Sequence, residues 1–135
     1  MSAAPVLVLV VDDEADMEAL FRQQFRRDLR AGRFEMAFAA SAAQALEAIA
    51  AASGRDIDLL LSDINMPGMS GLELLPRVKA TRPDVPVIMV TAYGDEETRR
   101  RALAGGAEGV LAKPIDFAAL RAEVEKRLQR RRAGA

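Results

Sequence analysis

The 135-residue sequence contains no cysteine and no histidine. Without thiols there is no disulfide, no thiolate nucleophile and no cysteine-ligated zinc; without imidazole there is no histidine base and no phosphohistidine. Chemistry must therefore rest on Asp, Glu, Ser, Thr, Lys, Arg or Tyr. Tryptophan is absent, tyrosine occurs once, as Tyr93, and lysine only as Lys79, Lys113 and Lys126. Neither sign of charge dominates, because 19 basic residues face 20 acidic ones for a net charge of -1. No overall positive field draws the chain to nucleic acid or anionic lipid, so neither direct DNA binding nor membrane association is expected. The longest apolar run, Val6 to Val11, is far too short to span a bilayer, and the N-terminus lacks a basic segment followed by a cleavable apolar stretch. These absences predict a soluble cytoplasmic protein.

The length suits one compact domain, expected over residues 1–135 with a core from about 5 to 131 and no second module of ordinary size. Alanine accounts for 26 residues, which favours helices laid over something that supplies the larger Val, Ile and Leu. Val6 to Val11 reads as a strand buried on both faces that stops at Asp12-Asp13. Asp16 to Arg30 reads as one helix, with Met17, Leu20, Phe21, Phe25 and Leu29 on a stripe and Gly32 ending it. Arg33 to Ala39 is a weaker strand. Ser41 and Gln44 then open an Ala-rich helix as a capping box.

Ile57 to Leu61 is a third strand, again ending in acid at Asp63, and Asn65 to Met69 is a turn-rich loop. Gly71 to Thr81 is a helix in which Pro76 predicts an irregular first turn or a bend. Val87 to Val90 is a strand ending at Thr91, and Asp95 to about Ala104 a polar helix. Gly109 to Ala112 is a short strand ending at Lys113-Pro114, and Asp116 to about Arg131 a final helix. Five strands alternating with five helices demand a doubly wound parallel α/β sheet with right-handed crossovers. The functional crevice of such a sheet lies outside the carboxyl ends of its strands, and these carry Asp12, Asp13, Asp63, Thr91 and Lys113.

Carboxylates converging there repel one another, so each pKa is expected to rise until a divalent cation restores the charge balance. Carboxylate and carbonyl oxygens suit Mg²⁺, or Mn²⁺. Alone, an Asp-Asp pair is as well a helix cap or solvated turn, Thr91 a cap, and Lys113 a surface lysine. Their agreement at the ends of separate strands carries the functional reading. Together they supply what a transferring phosphoryl group needs, namely a nucleophile, a metal, a fixed cation and a hydrogen-bond donor.

Val10-Val11-Asp12-Asp13-Glu14, Leu61 to Gly71, Val90-Thr91-Ala92 and Ala112-Lys113-Pro114 together resemble the receiver domain of two-component response regulators over nearly the whole chain. The resemblance implies the flavodoxin-like receiver fold and a phosphorylatable switch rather than a metabolic enzyme. Asp63 matches the residue that accepts a phosphoryl group from a sensor histidine kinase or a histidine phosphotransfer protein. Asp12, Asp13, Asp63 and the main-chain carbonyl of Asn65 match the Mg²⁺ ligands, Thr91 the hydroxyl that turns toward the acyl phosphate, and Lys113 the cation that contacts it. The resemblance also implies a cis Lys113-Pro114 bond, where proline statistics alone favour trans. Downstream proteins, or a second copy in a homodimer, would meet the face of the fourth helix, fifth strand and last helix.

Departures from the family bear on output and lifetime. The usual inward-swinging aromatic three positions before the lysine is here Val110. In the family the residues two beyond the phosphoacceptor and two beyond the hydroxyl flank the path of water to the acyl phosphate, so the resemblance implies that Asn65 and Tyr93 modulate its persistence. Asp95, Glu96, Glu97 and Arg99 to Arg101 read as solvated helix surface, as do Arg127, Arg130, Arg131 and Arg132. The same acids also resemble those of small Mg-dependent haloacid-dehalogenase phosphatases, but that family carries a second Asp where this chain has Asn65.

Overall fold

Successive residues of a strand point to opposite faces, so a strand apolar at every position needs a core on each side. Val6, Val8 and Val10 enter one buried cluster and Leu7, Leu9 and Val11 the other. The computed structural model describes residues 5–92 and 94–134, with side chains described as far as residue 130. Along the chain run β1 (Val6–Val11), α1 (Met17–Gln24), α2 (Arg26–Arg30), β2 (Phe34–Ala39), α3 (Ala42–Ala51) and β3 (Leu59–Asp63). They are followed by α4 (Gly71–Thr81), β4 (Val87–Thr91), α5 (Glu96–Ala104), β5 (Gly109–Ala112) and α6 (Phe117–Gly134). All pairings are parallel and the strand order is β2-β1-β3-β4-β5, a flavodoxin-like doubly wound sheet. Leucines and alanines of α3, α4 and α5 cover one face, while Phe21, Phe25, Leu120, Val124 and Leu128 of α1, α6 and the turn between α1 and α2 cover the other.

The described residues contain six helices rather than five. The helix expected from Asp16 to Arg30 is interrupted at Phe25, whose backbone (φ -109°, ψ 19°) separates α1 from α2. Tertiary contacts account for the break. The Phe25 ring is fully buried, packs against Phe21, Phe34 and Phe117, and lies under the Arg121 guanidinium at 4.8 Å. Three residues on, the buried Asp28 is held by Arg33 at 2.5 Å and by Arg121 from α6. A smooth amphipathic helix has no means of encoding these partners.

Local signals place the other ends. Ser41 accepts from the Gln44 N–H at 3.1 Å, but the Gln44 side chain accepts from Ala40 rather than from Ser41, so the expected box is not reciprocal. The reciprocal capping box is at Ser70 and Glu73, where it starts α4. That helix continues through Pro76 to Thr81. Arg127 is a correction: it is 4% exposed, paired with Glu123 and with Glu108 just before β5. It anchors α6 to the sheet instead of lying in a solvated basic run.

Candidate functional site

Register brings the polar residues together. Val11 of β1 pairs with Ser62 of β3, so Asp12 and Asp63, one step beyond, emerge side by side. Asp63 pairs with Val90 and Thr91 with Ala112, which sets Thr91 and Lys113 along the same carboxyl edge. The order of connections reverses between β1 and β3, the place where doubly wound sheets open a crevice. Gly71 closes the site from below: a Cβ there would sit 2.4 Å from the Asp63 carbonyl oxygen and 2.9 Å from Ile64 Cα. Only a residue without a side chain lets α4 start this close to the end of β3.

Asp63 is 4% exposed and Thr91 1% exposed. Asp63 Oδ2 accepts from Lys113 Nζ at 2.9 Å, and its Oδ1 accepts from the Asn65 N–H at 3.1 Å. Lys113 Nζ also lies 2.9 Å from Glu14 Oε1 and 3.3 Å from Asp12 Oδ2. The Thr91 hydroxyl donates to Asn65 Oδ1 at 3.1 Å. The Lys113-Pro114 bond is cis.

Charge balance in the site differs from simple mutual repulsion. Burial pushes the Asp12 carboxyl above its usual value; the Glu14 N–H and the Lys113 ammonium oppose that rise, and repulsion by Asp63 adds less than either. Burial also works against the Lys113 ammonium, but hydrogen bonds to Asp63 and Glu14 and the charges of Asp12 and Asp63 outweigh it, so Lys113 titrates above an ordinary lysine. The lysine thus serves as the acids' internal counter-ion.

Oxygens of Asp12, Glu14 and Asp63 all lie within 4.8 Å of one another. This hard-oxygen donor set fits Mg²⁺. Glu14 was missed as a site residue by the sequence reading, although a third consecutive acid after β1 was the available signal. Asp13 is exposed and outside that trio; with Asp12, Glu14, Glu18, Phe38 and Gln44 it lines an adjoining open cavity of about 310 Å³. Val110 pairs with Met89 and packs half-buried against the core, with no ring at that position. Tyr93 lies outside the described residues.

A family model described as the response regulator receiver domain matches residues 8–125. The chain belongs to that family. This receiver domain is 39% identical over 121 residues to the transcriptional regulatory protein ZraR of Escherichia coli O157:H7, covering 90% of this chain and 26% of that protein. To the C4-dicarboxylate transport transcriptional regulatory protein DctD of Rhizobium meliloti it is 38% identical over 133 residues, covering 95% of this chain and 27% of the relative. The chain therefore spans about a quarter of the length of these curated relatives. A CheY-like receiver domain protein from Methanospirillum hungatei superposes with a TM-score of 0.81 at 27% identity, covering 97% of this chain and 99% of that one. Receiver domains are phosphorylatable signalling switches, and the comparisons give the phosphatase alternative no support. Among the described residues no helix is long and apolar enough to cross a membrane.

Proposed function

We propose that Asp63 accepts a phosphoryl group from the phosphohistidine of a sensor histidine kinase or a histidine phosphotransfer protein. The observation that carries this reading is the placement of Asp63: a carboxylate 4% exposed at a strand end, with Lys113 Nζ at 2.9 Å and the Thr91 hydroxyl on the same edge. In the transfer, a carboxylate oxygen bonds to phosphorus, the phosphorus–nitrogen bond to the donor imidazole breaks, and the imidazole leaves with the bonding pair. Lys113 neutralises charge on the phosphoryl oxygens, and the Thr91 hydroxyl turns to donate to one of them. Asp12, Asp13, Asp63 and the Asn65 carbonyl would hold Mg²⁺, with Mn²⁺ as a substitute and Glu14 beside them. When bound, the cation neutralises the charge that otherwise keeps carboxylate and phosphoryl oxygens apart.

On this reading the chain catalyses only its own phosphorylation and dephosphorylation, and residues 1–135 act as one cytoplasmic receiver unit. Partners downstream, or a second copy, meet the face of α5, β5 and α6, which is supported by the half-buried edge strand β5 and by Leu103 at 40% exposure. Asn65 and Tyr93 set the lifetime of the acyl phosphate, and Val110 removes the usual aromatic route from site to surface. Intact-mass analysis after incubation with acetyl phosphate and Mg²⁺ is expected to show one added phosphoryl group, lost with EDTA and lost in Asp63→Asn. An undiminished adduct in Asp63→Asn overturns the assignment.

A further inference from the structure

Thr91 and Asn65 stand on neighbouring strand ends whose backbones are tied down on both sides. The Ile64 N–H donates to the Val90 carbonyl at 2.9 Å, and the Lys113 N–H to the Thr91 carbonyl at 3.0 Å. Between these fixed points the Asn65 side-chain oxygen accepts from the Thr91 hydroxyl at 3.1 Å, while the Asn65 main-chain N–H donates to Asp63 Oδ1 at 3.1 Å. One residue thus bridges the acid and the hydroxyl. A hydroxyl has a single proton to donate, so Thr91 Oγ1 cannot donate it to Asn65 and to a phosphoryl oxygen on Asp63 at once.

We propose that the Asn65 carboxamide is a latch that holds the Thr91 hydroxyl in its unphosphorylated orientation and is released when Asp63 is modified. The proposal rests on the phosphoacceptor reading of Asp63. Asn65 is then a positioning residue that acts through Thr91, a role separate from any contact of its main-chain carbonyl with a cation. The two orientations of the hydroxyl compete, and the Asn65 bond weighs on the off side by the worth of one neutral hydrogen bond. Its removal should shift the switch toward the on state without adding any contact there.

The Thr91 χ1 rotamer, read from three-bond couplings to its methyl carbon in metal-free, unphosphorylated protein, tests the latch without any phosphoryl donor. The expected result is one rotamer in the parent and a measurably shifted rotamer distribution in Asn65→Ala. With Mg²⁺ and beryllofluoride as phosphoryl mimic, Asn65→Ala should respond at about three- to tenfold lower beryllofluoride. In a Thr91→Val background, which has no hydroxyl to latch, the same substitution should change the response by no more than about twofold. An unchanged rotamer, or an equal shift in the Thr91→Val background, overturns the latch. A parent protein that takes up no beryllofluoride while its Thr91 rotamer answers to Asn65→Ala would instead overturn the phosphoacceptor reading and leave the Thr91–Asn65 constraint demonstrated.

Discussion

Lys113 touches Asp12, Glu14 and Asp63 at once, so its replacement leaves the shielded carboxylates of Asp12 and Asp63 without their cation. Lys113→Ala is expected to cost about 1–3 kcal/mol of stability in metal-free protein, the range for a partly buried charged group losing its partner. Mg²⁺ should restore most of that loss and bind at least as tightly as in the parent, because the competing positive charge is gone. The pH dependence follows from the direction of the lysine's shift. A cation that titrates higher folded than unfolded contributes fully below the unfolded pKa and loses that contribution only as pH rises through the folded one. The deficit of Lys113→Ala should therefore be constant through the neutral range and shrink only at strongly alkaline pH. Thermal unfolding with and without Mg²⁺ checks this, and a variant that loses Mg²⁺ affinity means that Lys113 supports the metal site rather than opposing the cation.

At the scale of elements, the start of α4 sets the position of Asp63. Gly71→Ala would drive a methyl group into the Asp63 carbonyl and the Ile64 backbone, neither of which is a flexible side-chain end. A loss of about 1–3 kcal/mol in denaturant unfolding is expected, with a weaker response to Mg²⁺ as β3 shifts. A neutral Gly71→Ala would mean that α4 moves away freely and does not hold the strand end. The elements themselves were legible where one local signal decides them. Val6–Val11, Leu59–Asp63, Val87–Thr91 and Gly109–Ala112 are short, largely apolar runs that end in a polar residue or are followed by one, and Asp12, Asp63, Thr91 and Lys113 follow from where those runs stop. What was hidden depends on partners distant in sequence. The break at Phe25 answers to Phe117 and Arg121, and the burial of Arg127 answers to Glu108, 19 residues away. Helical periodicity records neither. Glu14 was overlooked for another reason: its exposed side chain shows its use only when Lys113 reaches across from β5.

In the molecule as a whole, the acids, the hydroxyl and the lysine share one edge of the sheet, while ion pairs fasten the last helix around it. Arg121 joins α6 to Asp28, Arg33 joins Glu125 of α6 to the start of β2, and Arg127 joins α6 to Glu108. Arg33 and Glu108 precede β2 and β5, so these pairs hold α6 at the end of the parallel sheet opposite the site. At the opposite, carboxyl edge, burial and the Lys113 contact single out Asp63, and no neighbouring acid, as the proposed phosphoacceptor. Borohydride reduces an acyl phosphate to the alcohol, so phosphorylated protein treated in this way and sequenced by tandem mass spectrometry reports the modified residue directly. Homoserine is expected at position 63 alone, dependent on both phosphoryl donor and Mg²⁺; homoserine at position 12 or 13, or none at 63 in protein that has gained a phosphoryl group, would contradict the assignment of Asp63.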